Sequence, residues 1–388
     1  MPVWKLIVTD LLLTVVFLGI FSYYHLVVPR TMHGEKEIIV ATAQDSEENT
    51  FILPGNELAG NKVDNENFKI QGEESGNSTD NNSEVQFTDK SKVTQASNID
   101  TDRNSNKDSS DKAKRSDGKR IYYGNTNTME IASDTSSSKV NDSEEAMTEI
   151  NRYQGVHIQF TTNKVELGSG SDKITYYRSD IYVTNVKYIK TAFATGDYGK
   201  NLKASTSAMA EDNDALLAIS GDFYGNGETG VVIRNGILYR SVENDADICV
   251  LFIDGTMKTY SPEEFDADEV LEQGAWQAWT FGPELLDGKG HILASFNTTT
   301  YLNSTNPRCA IGYVEPGHYI FVVVDGRDEG YSMGVTLSEL SQIMVKAGCE
   351  SAYNLDGGKS AAMVFDGGYV NQPAQGGRTI SDIIYIGE

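Results

Sequence analysis

The stretch YNLDGGKS, residues 353–360, decides how the C-terminal half of this 388-residue chain is interpreted. It begins as a β-prone segment that is typical of a buried strand, and Asp356 follows that segment directly. Two glycines come next and permit positive φ angles and a close backbone approach to a ligand. Lys359 and Ser360 then supply a cation and a hydroxyl. A turn needs neither a carboxylate nor an ammonium group, so the stretch predicts a functional site at the end of a strand.

An apolar run followed by an aspartate beside glycine occurs twice more. Residues 215–220 lead to Asp222, and residues 319–324 lead to Asp325. By default such an aspartate only forms a turn, but three such strand ends with cations nearby favour one common pocket. Carboxylates act as nucleophile or general acid/base at a sugar carbon, and arginine and lysine bind phosphate oxygens. The candidate catalytic residues are therefore Asp356, Asp222 and Asp325, and the candidate substrate-binding residues are Arg308, Arg327, Lys359, Arg378, Gly357, Gly358 and Ser360.

Two other catalytic patterns fit the sequence less well. GYSMG, residues 330–334, matches the GxSxG nucleophile elbow, but all five histidines precede Ser332, whereas the catalytic histidine of that fold follows the serine. The GKS end of the 353–360 stretch resembles a phosphate-binding loop, but Tyr353 stands where that loop requires glycine. A serine hydrolase and a nucleotide-binding protein are therefore disfavoured.

The candidate metal ligands in the sequence also lack the spacing that known metal sites have. The acidic loops 222–227 and 325–330 do not place calcium ligands at the positions that a helix-loop-helix site requires, so only a non-standard divalent-cation site stays open. The histidines are scattered, which disfavours zinc. We assign no cofactor and no metal ligands.

The local patterns from Asn151 onward predict a largely β domain. VVIRNGILY, residues 231–239, predicts a hairpin with an Asn-Gly turn. SPEE at 261–264 and TLSE at 336–339 have the capping sequence of a helix start. The order strand, helix, strand between residues 319 and 354 predicts one parallel crossover. The fold class is therefore α+β, a mixed and largely β domain with a few helices packed on the sheet.

The first 150 residues predict a different organisation. Residues 6–28, LIVTDLLLTVVFLGIFSYYHLVV, are long enough at about 1.5 Å per residue to cross a hydrocarbon core of about 30 Å. A cleavable signal peptide is the alternative, but the small residues 41–43 lie well beyond the apolar run, which favours an uncleaved anchor. The polar residues that follow carry too few apolar side chains to offset chain entropy and predict a disordered stalk. The predicted organisation is a cytoplasmic tip at 1–5, a transmembrane signal anchor at 6–28, a stalk at 29–150 and a folded domain at 151–388.

The net charge limits the classes of partner, and the cysteine content limits the possible disulfides. The net charge of −24 argues against nucleic acid, because a phosphate backbone requires a basic footprint. An anionic substrate would have to be bound by a few well-placed cations. The three cysteines, Cys249, Cys309 and Cys349, form no CxxC pair, so we predict buried thiols, with a single disulfide as the alternative.

Several blocks between about Asp180 and Ile386 resemble the phosphodiester glycosidase family. In chain order these blocks are LAISGDFY at 217–224, GVVIRNG at 230–236, WTFGP at 279–283, NPRCAIG at 306–312, VDGR at 324–327, YSMG at 331–334, NLDGG at 354–358 and RTISD at 378–382. Three positions depart from the family pattern. Ser220 stands where members usually have Asn, Lys359 where they have a third Gly, and Ala361 where they have Ser.

The resemblance implies a hydrolase that cleaves the glycosidic bond of a sugar-1-phosphodiester. Asp356 would be the general base or nucleophile, with Asp222 or Asp325 as the second carboxyl group. With the predicted anchor it implies a single-pass protein of the cell membrane, with an extracellular domain that acts on a cell-wall or capsular polysaccharide. Because Ser220, Lys359 and Ala361 put turnover in doubt, a sugar-phosphate-binding module and an envelope scaffold are the alternatives.

Overall fold

The computed structural model describes residues 3–32, 38–39, 50–54, 140 and 145–388. A helix, α1, extends from Val3 to Leu26. No helix in the described part of the chain is long and apolar enough to cross a membrane, so the predicted anchor at 6–28 is not supported. Most of the predicted stalk lies outside the described residues.

The remaining described residues form a domain that is rich in short strands. The other helices are α2 (Thr206–Asp212), α3 (Ala267–Glu272), α4 (Thr300–Asn303) and α5 (Leu337–Lys346). The strands are β1 (Arg30–Thr31), β2 (Ile38–Ile39), β3 (Glu145–Gln154), β4 (Ile158–Leu167), β5 (Ile174–Val183), β6 (Ile189–Phe193), β7 (Gly199–Lys200), β8 (Leu217–Ser220), β9 (Gly230–Arg234), β10 (Ile237–Val242), β11 (Ile248–Phe252), β12 (Met257–Tyr260), β13 (Ala275–Trp279), β14 (Glu284–Asp287), β15 (Arg308–Glu315), β16 (His318–Val324), β17 (Ser351–Leu355), β18 (Met363–Phe365), β19 (Gly368–Tyr369) and β20 (Asp382–Ile386).

The strands assemble into three larger sheets and one pair. The seven-stranded sheet has the order β14-β17-β15-β16-β5-β4-β3, the six-stranded sheet β12-β11-β13-β9-β10-β2 and the five-stranded sheet β19-β18-β8-β20-β6. Strands β1 and β7 form the pair. The fold is thus mostly β with a few helices, as the sequence predicted.

The strand β16 explains how the largest sheet is covered on both faces. Its alternate residues Tyr319, Phe321 and Val323 belong to a core cluster shared with the other two large sheets. Its remaining residues, Ile320, Val322 and Val324, pack in a second cluster with helix α5. Because both faces are buried, the strand is a continuous apolar run rather than an alternating one.

Several local predictions are confirmed and one is wrong. The 231–239 hairpin turns at Asn235 and Gly236, both with positive φ, and α5 begins with a full capping box at Thr336. The helix predicted at 261–264 is wrong, because α3 begins at Ala267 with Asp266 as its N-cap. The predicted parallel crossover is confirmed, because β16 and β17 both pair antiparallel with β15, which lies between them, and therefore run parallel to each other.

Parts of the predicted stalk join the fold. Strand β1 pairs with β7, β2 pairs with β10, and β3 begins at Glu145, before the predicted domain boundary. The Phe51 amide donates to the Thr184 carbonyl at 2.7 Å, and Leu53 is buried. The isolated apolar residues of this region therefore supply strand pairing and core contacts. The three cysteines are free and buried, as predicted.

Candidate functional site

The site forms where strands of two sheets end side by side. Asp356 follows β17, Asp325 follows β16, and Arg308 begins β15 between them, with Cys309 opposite Leu355. Since neighbouring strands lie about 4.8 Å apart, the backbones at the two aspartates are separated by two strand spacings, about 10 Å. Strand β8 of the five-stranded sheet reaches the same place, because the Asp356 amide donates to the Gly221 carbonyl at 3.1 Å. The fold therefore brings the three predicted strand ends together.

Asp356 is bound by two of the predicted residues. The Arg378 Nη2 donates to both carboxylate oxygens, at 3.0 and 2.9 Å, and the Ser360 hydroxyl donates to Oδ2 at 2.6 Å. Arg378 Nε also donates to Ser360 Oγ at 2.5 Å. Burial raises the pKa of Asp356, and the nearby Arg378 partly offsets that rise. The side chain of Asp356 is 6% exposed, whereas that of Arg378 is 41% exposed, so the cation forms the outer surface of this pair.

The glycines after Asp356 lie directly on neighbouring backbone. A Cβ on Gly357 would lie 2.7 Å from the Pro307 carbonyl oxygen, so only glycine fits there. The Gly358 amide donates to the same carbonyl at 2.9 Å, so this N–H is not available for the substrate binding predicted for Gly358. The Arg327 guanidinium lies over Gly358 and donates to Asn306 Oδ1 at 2.7 Å.

Lys359 and Arg327 are both exposed. In the described part of the chain the Lys359 ammonium has no hydrogen-bond or ion-pair partner. The two exposed cations therefore flank the glycines on the outer side. Ser220, another departure from the family pattern, is buried and donates from its hydroxyl to the Asp356 carbonyl at 3.2 Å.

Asp222 belongs to a buried ion cluster rather than to an open pocket. Its Oδ2 accepts from Arg234 Nη2 at 2.8 Å and its Oδ1 accepts from the Tyr224 amide at 2.9 Å. Arg234 also donates through Nε to Asp382 Oδ2 at 2.9 Å, and its side chain is only 1% exposed. Burial, together with the charge of Asp222, raises the pKa of Asp382 to about 8, although Arg234 opposes that rise.

The same ion cluster requires glycine at position 221. A Cβ there would collide with Asp382 Oδ1. Gly221 and Asp222 therefore serve the packing of the ion cluster, whereas the Ser220 hydroxyl binds the Asp356 carbonyl.

Asp325 is enclosed by a third set of donors. Tyr331 Oη donates to Oδ2 at 2.8 Å, Asn371 Nδ2 donates to Oδ1 at 2.8 Å, and the Gln372 amide donates to Oδ2 at 3.0 Å. Burial raises the pKa of Asp325, and these donors partly offset the rise. Tyr331 is half-buried and its hydroxyl lies 3.1 Å from that of the buried Tyr177, so Tyr331 connects the carboxylate to the surface.

Arg308 does not act as the sequence predicted. Its Nη2 donates to the carbonyls of Leu302 and Ser304, at 2.7 and 2.5 Å, and its Nε donates to the Val335 carbonyl at 3.0 Å. Burial lowers its pKa to about 10. The residue therefore holds the loop that precedes β15.

The structure adds two residues that the sequence did not single out. The Phe223 ring is 40% exposed, and the Arg378 guanidinium carbon lies 5.2 Å from its centroid. The Lys203 ammonium lies 6.0 Å from the same centroid and donates to Asn226 Oδ1 at 2.7 Å. Phe223 lies inside the LAISGDFY block, but Lys203 lies in an unremarkable loop and carries no sequence signal.

Neither the cavities of the domain nor a group of metal ligands indicates a different functional site. A cavity of about 1390 Å³ lies between the β9–β10 hairpin and residues 297–302, and a second of about 370 Å³ lies beside Lys164 and Tyr177. Neither is lined by the candidate catalytic aspartates. The described residues contain no group of three or more His, Cys, Asp or Glu that could hold a metal ion.

Ser332 of the GxSxG motif is fully buried and donates to the Asp325 carbonyl at 2.7 Å. A hydroxyl in that position holds the backbone of its own loop. The nucleophile-elbow interpretation therefore has no support in the geometry.

Comparison with known sequences defines the class. Residues 213–387 match the sequence model of the family described as phosphodiester glycosidase. This part of the chain is therefore similar to the phosphodiester glycosidase family, and the resemblance inferred from the motifs is confirmed.

Two relatives and two solved structures are similar to parts of the chain. The SPbeta prophage-derived uncharacterized protein YomE of Bacillus subtilis (strain 168) is 33% identical over 196 residues, which are 49% of this chain and 30% of that protein. The N-acetylglucosamine-1-phosphodiester alpha-N-acetylglucosaminidase of Bos taurus is 34% identical over 80 residues, which are 21% of this chain and 14% of that enzyme. The chain thus spans less than a third of the length of either relative.

The catalytic domain of the zebrafish N-acetylglucosamine-1-phosphodiester alpha-N-acetylglucosaminidase superimposes with a TM-score of 0.49 at 18% identity, covering 63% of this chain and 88% of that domain. A hypothetical protein from Synechocystis gives a TM-score of 0.48 at 14% identity and covers 62% of this chain and 63% of that protein.

Proposed function

We propose that the domain is a hydrolase that cleaves the bond between the anomeric carbon of a sugar and the oxygen of a phosphodiester. The observation that carries the proposal is the Asp356–Arg378 pair at the junction of two sheets. A buried carboxylate there is capped by a cation that is 41% exposed, and the exposed residues Arg327 and Lys359 lie beside the glycines that follow it. On a chain with a net charge of −24, exposed cations grouped around one buried carboxylate suit an anionic substrate.

The cations would bind the phosphate. Arg378 holds Asp356 through Nη2 and Ser360 through Nε, which fixes the guanidinium plane. Its other terminal nitrogen has no hydrogen-bond partner in the described part of the chain and can donate to a phosphate oxygen. Lys359, as an exposed ammonium on the adjoining turn, adds a point charge. Binding the leaving phosphate next to the carboxylate places the anomeric carbon within reach of Asp356.

Asp356 would act at the sugar carbon as general base or nucleophile. Its pKa is raised by burial, which moves a carboxyl group toward the range in which it exchanges protons near neutral pH. Asp325 is the better candidate for a second carboxyl group, because Tyr331 connects it to the surface. Asp222 is committed to Arg234 and is proposed to support the strand end.

One observation favours a binding module as the second candidate. Both oxygens of Asp356 already accept hydrogen bonds from Arg378 and Ser360, so the carboxylate is engaged before any substrate arrives. A domain that only held a sugar phosphate would need the cations and not a free base. The turnover experiment described next distinguishes the enzyme from the binding module.

Turnover of simple substrates tests the proposal. The full chain is incubated with methyl diesters of hexose-1-phosphates, and release of free sugar and methyl phosphate is measured. The wild-type chain should turn over at least one of them, and Asp356→Asn should lower kcat by about 10²–10⁴-fold. The matched control is Asp366→Asn, which changes an exposed turn aspartate in the same way and should leave kcat unchanged.

The other outcomes are equally decisive. Saturable binding of the diesters without release of sugar would replace the enzyme by the binding module. Equal turnover by Asp356→Asn and by wild type, with both folded by circular dichroism, would remove Asp356 from the chemistry.

The biological substrate is proposed to be a cell-wall or capsular polysaccharide with sugar-phosphate linkages. The apolar segment at 6–28 and the acidic composition of the chain motivate an extracellular location. Fractionation of cells that produce the full chain, combined with protease treatment of intact cells, tests that location.

A further inference from the structure

The exposed cations of the site form a connected strip that extends past the Asp356–Arg378 pair. The Arg327 guanidinium lies over Gly358, and Lys359 follows Gly358 in the chain. Arg378 is tied to the same turn through Ser360 and stacks on Phe223. Lys203 contacts the same ring, so Arg327, Arg378 and Lys203 are linked through Gly358, Ser360 and Phe223, and Lys359 lies between Gly358 and Ser360 in the chain. We call these four residues the cation strip.

The far end of the strip is rigidly placed. The loop that carries Lys203 is fixed to the segment that carries Arg378, because Ala204 and Ile380 exchange two backbone hydrogen bonds of 3.1 and 2.8 Å. The Lys203 ammonium uses one N–H for Asn226 and is exposed. The two cations lie 5.2 and 6.0 Å from one aromatic centroid, so they are at most about 11 Å apart.

The charges around the strip give it a direction. Beyond Arg327 the exposed residues Asp328 and Glu329 would repel an anion. At the other end, Lys203 is followed by the neutral residues of the α2 start, and the carboxylate within the strip, Asp356, is buried and already paired with Arg378. An anionic chain bound at Arg378 is therefore drawn toward Lys203.

We propose that Lys203, placed by the Phe223 ring, is a second anion subsite, and that the substrate is an oligomer with repeated anionic groups, such as a chain of sugar phosphates. The proposal rests on the proposed function of the Asp356–Arg378 site and specifies the substrate class of that site. A single phosphodiester fills the Arg378 end alone. The next phosphate along an oligomer reaches Lys203 across the aromatic ring.

The comparison of two substrates tests the subsite. KM is measured for a hexose-1-phosphate methyl diester, which has one phosphate, and for a sugar-phosphate oligomer with at least two. Lys203→Ala should raise KM for the oligomer by about two- to five-fold, the effect of one exposed ion pair, and leave KM for the methyl diester unchanged. Lys203→Arg should restore the oligomer KM, and Lys289→Ala, which removes an exposed lysine elsewhere, should change neither.

The results separate this subsite from the function itself. If the wild type cleaves both substrates and Lys203→Ala alters both KM values equally or neither, the subsite is wrong and the proposed function stands. If the wild type cleaves neither, the proposed function fails, and calorimetric titration with inorganic tripolyphosphate and orthophosphate tests the strip alone. Lys203→Ala must then weaken tripolyphosphate more than orthophosphate, and an equal effect on both overturns the subsite.

Discussion

Two arginine–aspartate pairs lie close together in this domain, and they differ mainly in how much water reaches the cation. In the Asp222–Arg234–Asp382 cluster the arginine side chain is 1% exposed and both of its partners are carboxylates. In the Asp356–Arg378 pair the arginine side chain is 41% exposed and its second partner is the hydroxyl of Ser360. The chemistry of the two pairs is the same, but only the second leaves a cation that a ligand can reach.

The difference separates a structural ion cluster from a candidate recognition site. Arg234 donates hydrogen bonds to the carboxylates of Asp222 and Asp382 and to two backbone carbonyls, those of Ile233 and Ala278. It therefore links neighbouring strands. Arg378 keeps one terminal nitrogen that has no hydrogen-bond partner among the described residues. A buried ion pair is weak evidence for stability as a whole, but removal of one member leaves an uncompensated buried charge. Mutation of the buried pair should therefore cost more stability than mutation of the exposed pair.

The largest expected effect is on stability and belongs to Arg234→Met. Loss of the guanidinium leaves the buried Asp222 carboxylate without its counter-ion, so the free energy of unfolding should fall by about 3–5 kcal/mol. Arg378→Met is the matched control and should cost about 1 kcal/mol or less, because Asp356 keeps Ser360 and gains access to water. Urea denaturation followed by fluorescence measures both. Equal losses in the two variants would contradict the distinction drawn from exposure.

The second effect is a pH dependence that the buried cluster imposes on stability. The pKa of Asp382 is raised to about 8, above the value of about 3.9 in an unfolded chain. The folded state therefore holds a proton that the unfolded state releases, so the associated stability is complete below about pH 4 and is lost as the pH rises through 8. For one group the slope is at most about 1.4 kcal/mol per pH unit.

Asp382→Asn is the test of that slope. The neutral amide keeps an oxygen that can accept from Arg234 but cannot ionise, so unfolding free energies at pH 5, 7 and 9 should vary less in the variant than in wild type. An unchanged slope would show that Asp382 is ionised throughout this range in the folded protein.

The positions of the aspartates were predictable from sequence because each follows an apolar run that can only be a buried strand. The runs before Asp222, Asp325 and Asp356 became β8, β16 and β17, and their ends meet. What each carboxylate does there was not predictable. Asp222 is bound by Arg234, which lies on another strand, and Arg308 is occupied by backbone carbonyls of the loop before it. Such pairings depend on which sheets pack together, and no local pattern encodes them.

Contacts between residues that are far apart in the sequence explain what else the sequence did not predict. The contact of Lys203 with Phe223 depends on the Ala204–Ile380 bridge, which joins residues far apart in the chain. Helix α3 starts later than its capping sequence predicted, because the Ser261 hydroxyl donates to Glu264 within an isolated turn and Asp266 supplies the N-cap. Capping patterns locate chain reversals more reliably than they locate the first helical residue.

The smallest effect tests whether the exposed pair is held ready for an anion by its aromatic neighbour. Phe223→Leu removes the ring on which the Arg378 guanidinium stacks, a contact that contributes about 0.5–1 kcal/mol at an exposed site. The Kd of inorganic phosphate should therefore rise by about two- to five-fold, while the unfolding free energy stays nearly constant because the side chain is 40% exposed.

Tyr369→Leu is the control for Phe223→Leu, since it removes another aromatic ring that is 45% exposed. It should leave the phosphate Kd unchanged. Because Asp356 and Ser360 still hold Arg378 in the Phe223→Leu variant, the change in Kd reports the orientation of the guanidinium and not its presence. A phosphate Kd that both substitutions leave unaltered would mean that the two side-chain hydrogen bonds alone fix Arg378, and the exposed pair would then differ from the buried one only in its contact with water.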